Sequence, residues 1–228
     1  MADVKLKPVR SRQTVQDQVY AQLREALVSG AFEAGQGFTI PALADSFGTS
    51  HMPVREALRR LAAENALRIS STGTATVPPL DIEELHKICE VRLVLEPAAA
   101  RLAFGRMDAS DIAALKEILV AHQRTGETGD IVEMLAANRA FHFHIYTATD
   151  NEVLVSQIEN LWLRSGPYVR YLSDRMGDLL RTSYKSGYTS HHEDMLAALE
   201  SGDEAGFVQA MTEDVTATHE LLFRFLSE

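Results

Sequence analysis

Hydrophobic positions recur at helical spacing from residue 14 onward, and the interruptions in that rhythm divide the chain. Thr14 has the character of an N-cap, with Asp17 three residues on in a capping-box arrangement. Val15, Val19, Leu23, Ala26 and Leu27 then form a helical stripe that Gly30 ends. A glycine-punctuated connector, Gly30 to Gly37, leads to a short helix over 41–47 that buries Leu43, Ala44 and Phe47. Gly48-Thr49-Ser50 breaks it. Ser50 caps the next helix, over 51–65, with Pro53 in its first turn, where a missing N–H removes no bond. Val54, Leu58 and Leu61 are the apolar stripe of that helix. Two helices across a tight Gly-containing turn have the form of a helix-turn-helix. The β-branched stretch from Leu67 to Val77, turning at Gly73, predicts two strands: a wing.

The tandem Pro78-Pro79 closes this unit. Beyond it the spacing predicts helices over 81–104, 108–124, 129–148, 151–174, 182–201 and 203–226. Gly166-Pro167 is expected to break or kink the fourth, and Pro97 to bend the first. Short-looped amphipathic helices of this kind make an antiparallel bundle. The predicted fold class is therefore mainly α, with an N-terminal winged helix-turn-helix over 1–78 and an all-α antiparallel bundle over 79–228.

Charge sharpens the division. The whole chain of 228 residues carries a net charge of −10, which argues against a nucleic-acid partner. Residues 1–78, however, hold nine Lys/Arg against seven Asp/Glu, whereas residues 79–228 hold 13 against 25. The acidity belongs to the second unit alone, and a basic arm over 1–12 precedes the first. No stretch approaches the ~20 apolar residues of a membrane helix, and residues 1–14 lack the apolar run of a secretory signal. The single cysteine, Cys89, excludes an internal disulfide and fits a reducing compartment. A cytoplasmic protein that does not touch membranes is expected.

On the 51–65 helix the apolar stripe leaves His51, Met52, Arg55, Arg59 and Arg60 on other faces. The start of a recognition helix reaches base edges in the major groove, while flanking polar groups hold phosphates. Arginine grips guanine with two hydrogen bonds, which makes Arg55 the best candidate for a base contact. Thr49 and Ser50 suit a phosphate at the helix N-terminus. His51, Arg59 and, in the wing, Thr72 and Gly73 complete the predicted DNA-binding set. The alternative is that Arg55 and Arg59 merely solvate a face and pair with Glu56 or Glu25. These residues carry a resemblance. Gly30-x-Phe-x-Ala-Gly35, followed by Leu43-Ala44-Asp45-x-Phe-Gly48-x-Ser50-x-x-Pro-Val-Arg55-Glu-Ala-Leu58-x-x-Leu61, resembles the GntR family of winged-helix transcription regulators across about residues 11–77. The resemblance implies that Arg55 and Gly73 touch DNA. His51 and Pro41 depart from the basic residues common at those positions, so the operator is expected to differ from those of relatives.

Residues 80–226 resemble the FCD ligand-binding domain of the FadR-type branch of that family. The resemblance rests on Val91-Arg-Leu-Val-Leu-Glu96, Asn138-Arg-Ala-Phe-His142, and His192 ahead of Gly202-Asp203. It implies a divalent metal held through Asp-x-x-x-His and two later histidines. The residues also speak for themselves. Asn138 and His142 share a helix face with Leu135, Phe141 and Ile145; His192 shares one with Met195, Leu196 and Leu199; Asp214 shares one with Ala210, Met211, Ala217 and Leu221. Inward polar groups need partners, since unpaired burial costs ~1–3 kcal/mol each. Against the family pattern, Asn138 stands where Asp is usual and Asp214 where the last histidine is usual. Two histidines and one carboxylate suit Zn²⁺, Ni²⁺, Mn²⁺ or Fe²⁺, with Asn138 either a ligand or a neighbour of one. A metal-free hydrogen-bond network is the alternative. His144 and His191 point to other faces, and His86, His122 and His219 carry no spacing signal.

An anion clamp is expected at Arg92, with Arg139 and Tyr168 beside it and Arg164, Arg170 and Tyr171 in reserve. Arg92 could instead pair with Glu96, four residues on. The whole reading is a homodimeric regulator, expected to be a repressor and not an enzyme. It binds near-palindromic double-stranded DNA and answers to a small anionic metabolite, a carboxylate. A sensor of the metal ion itself and a metal-dependent enzyme are the two rival readings.

Overall fold

The computed structural model describes residues 14–70, 73–182 and 187–228. Thr72, most of the Leu67–Val77 turn's apex, and the basic arm over 1–12 therefore lie outside the described residues.

Helix α1 (Val15–Val28) starts where the capping box predicts: the Thr14 hydroxyl accepts from the Asp17 amide, and the Asp17 carboxylate accepts from the Thr14 amide. Val19, Leu23 and Leu27 are buried along its stripe. Helix α2 (Ile40–Phe47) is capped by Thr39 and ended by Gly48. Helix α3 (His51–Ala63) buries Val54, Ala57, Leu58 and Leu61 against α1 and α2. The wing strands are short, β2 (Arg68–Ile69) and β3 (Ala75–Thr76). The predicted connector adds a third strand: β1 (Gly37–Phe38) pairs antiparallel with β3, Gly37 opposite Thr76, giving the order β1-β3-β2. Two residues, one of them glycine, carry no alternation to read, so this strand exists only through its partner.

Among the described residues seven helices follow: α4 (Ile82–Phe104), α5 (Ala109–Thr128), α6 (Ile131–Thr147), α7 (Glu152–Arg164), α8 (Gly166–Leu179), α9 (Ser190–Ser201) and α10 (Glu204–Ser227). Helices α4 and α10 run antiparallel, with Arg101 beside Glu204 at one end and His86 beside His219 at the other. A core of Phe141, Ile145, Tyr146, Met195, Phe207 and Met211 joins α4, α5, α6, α9 and α10. The helix predicted over 182–201 begins only at Ser190. Before it, Tyr188 turns its ring onto α5, donating to the His122 carbonyl at 2.6 Å and accepting from the Gly126 amide at 3.0 Å.

The predicted break at Gly166-Pro167 ends α7 and starts α8, and it is where the head sits. Leu163 is buried in the head's core with Leu23, Leu27 and Leu58. A Cβ on Gly166 would lie 2.1 Å from the Leu27 carbonyl oxygen, so no larger residue permits this approach of α8 to α1. Polar links surround the joint: Arg24 to Glu159 at 3.1 Å, Asn160 to the Glu64 carbonyl at 3.1 Å, and Arg139 to Glu25 at 2.7 Å.

Candidate functional site

Two sites emerge, one on the surface of the head and one inside the bundle. On α3, Arg55 is exposed and makes no hydrogen bond or ion pair with any described residue. Its neighbours are engaged. Arg59 pairs with Glu56 at 2.8 Å, and Arg60 lies over the Tyr20 ring at 3.6 Å while reaching Glu64 at 3.4 Å. Glu25, the other partner considered for these arginines, is held by Arg139. Ser50 is exposed and its hydroxyl makes no capping bond, leaving it and the first amides of α3 open beside His51 and Thr49. Gly73 adopts φ +86° at the exposed wing, a conformation glycine takes without strain.

Inside the bundle, His142 of α6, His192 of α9 and Asp214 of α10 converge. Their ligand atoms all lie within 4.8 Å of one another. His142 Nε2 is 3.1 Å from Asp214 Oδ2 and 3.2 Å from His192 Nε2, and His192 Nε2 is 3.6 Å from Asp214 Oδ1. Both histidines are 1% exposed, so whatever satisfies these atoms comes from within the site. Face periodicity placed all three inward, and the fold brings them together.

The surroundings orient His142. The Glu96 carboxylate, fully buried, accepts from Arg92 Nε at 2.6 Å, Arg92 Nη2 at 3.2 Å, Trp162 Nε1 at 3.1 Å and the Tyr146 hydroxyl at 2.6 Å. Burial, followed by the charge of Glu96, holds the Tyr146 hydroxyl in its protonated form. Its single proton goes to Glu96, so the Tyr146 oxygen must accept from His142 Nδ1, 3.0 Å away. That leaves His142 Nε2 as the atom facing Asp214 and His192. Facing donor atoms of this kind require either shared protons or a cation between them.

A divalent metal fits that requirement. Ligands about 2.0–2.2 Å from Zn²⁺ or a similar ion lie about 3.0–3.5 Å from each other, close to the separations seen here. Burial, reinforced by the neighbouring His142 and His122 rings and opposed by Asp214, lowers His192 to about 3. Burial and His142 lower His122 to about 4. Both rings are thus neutral at pH 7, the form a metal needs. Burial alone would raise the Asp214 carboxyl, but a proton on His142 Nε2, hydrogen-bonded to it and charged, holds it below the usual carboxylate range, with His192 and His191 behind it; a cation in that proton's place acts in the same direction.

Two members of this arrangement escaped the sequence reading. His122 Nδ1 sits 3.3 Å from His192 Nδ1, and the His192 ring stacks on Phe141 at 4.3 Å. The signal was present: Leu115, Leu119 and His122 follow helical spacing and all three are buried. Tyr146 likewise lies one turn from His142, on the same face.

His142 and Asp214 of the trio line a cavity of about 120 Å³, several times the ~10–15 Å³ that a single water needs. Asn138, one turn before His142, lines it, as do Arg92 and Tyr168. The guanidinium of Arg92 is committed to Glu96 through Nε and Nη2, the pairing that competed with an anion clamp. Tyr168 donates to the Asp81 carbonyl at 2.8 Å. Arg139 is not among the cavity's lining residues. Next in sequence to Asn138, it is rotated about 100° around α6 and faces α1 instead, which corrects its expected place at the effector. His144 pairs with Asp111 at 3.0 Å, away from the trio.

Comparison with known proteins places both units. Residues 15–77 match the family model described as bacterial regulatory proteins, gntR family, and residues 87–217 match the FCD domain. The chain belongs to the GntR family, in its FCD-containing form. It is 32% identical over 207 residues to the HTH-type transcriptional regulator McbR of Escherichia coli (strain K12), covering 91% of this chain and 92% of that protein. The solved structure of E. coli McbR/YncC superposes with a TM-score of 0.85 at 31% identity, covering 93% of this chain and 99% of that one. The gluconate operon transcriptional repressor of Bacillus subtilis (strain 168) is 29% identical over 197 residues, 83% of this chain and 77% of its own. The protein is accordingly a transcriptional regulator of GntR/FCD type, mostly helical, with the DNA-binding head at its N-terminus. Among the described residues no helix is long and apolar enough to cross a membrane.

Proposed function

We propose that this GntR regulator is a cytoplasmic repressor, working as a homodimer on a near-palindromic operator, and that a small carboxylate bound beside a divalent metal releases it. The observation that carries the proposal is the convergence of His142, His192 and Asp214, two of which, His142 and Asp214, line a cavity. These three residues would hold the ion, with Asn138 adjacent. The ion would supply a Lewis-acid anchor for a carboxylate. Arg92 Nη1, which Glu96 does not use, would meet the same group from α4. The metal is Zn²⁺, Ni²⁺, Mn²⁺ or Fe²⁺ by donor type.

On the head, Arg55 is the base-reading residue, with Thr49, Ser50, His51, Arg59, Thr72 and Gly73 at the backbone. Two features support a dimer. An operator with two half-sites needs two heads related by a two-fold axis. Helix α4 also carries an exposed apolar stripe of Val91, Val94 and Leu102, the kind of face a second copy covers. Signal passes from cavity to head by a short route. Ser165, Tyr168 and Val169 line the cavity, while Leu163 and Gly166 of the same segment are packed into the head. A ligand that moves the start of α8 therefore moves the surface on which α1 rests, in addition to any change at Pro78-Pro79.

The test combines metal analysis with operator binding. Protein as purified is expected to hold about one divalent ion per chain, lost in Asp214→Ala. On a duplex selected from a random library, gluconate, benzoate and citrate are screened for release. Release by one of them, with metal alone inert, supports the proposal. Release by metal alone makes the ion the effector. Absence of any metal, before or after loading, leaves His142 and Asp214 bridged by a proton and overturns the metal centre.

A further inference from the structure

The cavity beside the trio is lopsided in its chemistry. Most of its wall is apolar, from Leu85 and Ile88 of α4, Leu172 and Met176 of α8, and Leu222 of α10. A polyhydroxylated acid placed there would set hydroxyls against methyl groups, and each one left unpaired costs about 1–3 kcal/mol. Among the described residues, one buried polar atom in the wall does lack a partner. His219 Nδ1 is buried and makes no hydrogen bond with any described residue, although His219 lines the cavity. Its other nitrogen, Nε2, lies 2.9 Å from His86 Nδ1. A neutral ring shares one proton across such a contact, so His219 Nδ1 is a donor in one tautomer and an acceptor in the other. A hydroxyl, which both donates and accepts, matches either.

The spacing is set by the helix. Asp214 and His219 are five residues apart on α10, and both line the cavity. At 1.5 Å per residue their attachment points stand about 7.5 Å apart along the axis. Resting on the carboxylate reading above, we infer that the effector is an ω-hydroxy carboxylate with an apolar body. Its carboxylate lies at Arg92 beside the trio, its hydrocarbon runs along Leu85, Leu172 and Leu222, and its hydroxyl meets His219 Nδ1. His219 is then the residue that selects a terminal hydroxyl. An extended six-carbon chain spans the required length.

Calorimetric titration of the full-length protein with hexanoate, 6-hydroxyhexanoate and gluconate tests this. Wild type is expected to bind 6-hydroxyhexanoate about tenfold more tightly than hexanoate, and gluconate least tightly of the three. His219→Leu should remove that preference, hexanoate and 6-hydroxyhexanoate then binding within about twofold of each other. Equal wild-type affinity for the two six-carbon acids overturns the role of His219 and leaves the carboxylate reading standing. Gluconate binding tightest overturns the apolar body. Should none of the three bind, the inference falls, and the carboxylate reading falls with it if benzoate and citrate are silent too. The wild-type comparison decides the matter even if the variant folds poorly.

Discussion

The head and the bundle place their working residues in opposite environments. Arg55 stands on an exposed helix face without a partner among the described residues, whereas His142 and His192 are almost wholly enclosed, each against several others. The difference follows from what each must meet. A DNA backbone and groove are too large to enclose, so the head offers cations at its surface and leaves their desolvation to the moment of binding. A small ligand can be surrounded, so the bundle assembles its polar groups beforehand in a largely enclosed setting where most are already paired. Substitutions in the bundle should therefore cost stability first, and substitutions in the head should cost affinity first.

Glu96→Ala puts the strongest strain on that contrast. It strands the Arg92 guanidinium, the Tyr146 hydroxyl and the Trp162 N–H around a void. A loss of about 3–5 kcal/mol in unfolding free energy is expected by urea denaturation. A loss under 1 kcal/mol would mean that the network is dispensable. Gly166→Ala comes next and probes the joint. Its Cβ meets the Leu27 carbonyl, backbone that cannot swing away, and about 1–3 kcal/mol of stability should go. Unchanged melting would show that the head is not seated on α8 as described.

Arg55→Ala should leave the melting curve alone yet remove about 1–3 kcal/mol of operator affinity and relax base choice at one position. Measured by fluorescence anisotropy over a salt series, sequence-indifferent binding that persists in the variant would remove Arg55 from base reading. Arg59→Ala, its carboxylate-paired neighbour, serves as the weaker control. The smallest effect is expected at Arg139→Ala, which cuts a half-exposed ion pair to Glu25 for about 0.2–1 kcal/mol. A larger effect on the effector's grip on DNA than on stability would make that pair part of the signal route.

Much of this was legible in advance, for identifiable reasons. Thr14 with Asp17, Gly48 and the Ser50–Pro53 start of α3 are local signals, settled within one turn of helix, and the structure keeps them where the pattern puts them. The inward faces of His142, His192 and Asp214 were readable by the same 3.6-residue rhythm. Tyr188 was not. Its ring closes on α5 through the His122 carbonyl and delays α9 to Ser190, a contact between segments more than 60 residues apart. Strand β1 was missed because two residues contain no period.

The amino-acid sequence by itself determined which residues point inward, where helices begin, and that a near-neutral reading head precedes an acidic bundle. These depend on neighbours a few positions away, whose geometry the backbone dictates. Only the tertiary structure decided which inward groups meet. The registers of α4, α5, α6, α9 and α10 against one another bring Glu96, Tyr146, His142, His192 and His122 into one chain of contacts. The close approach of Gly166 to Leu27 likewise decides where the head rests. Register between helices is set by packing across the whole core, and no local pattern encodes it.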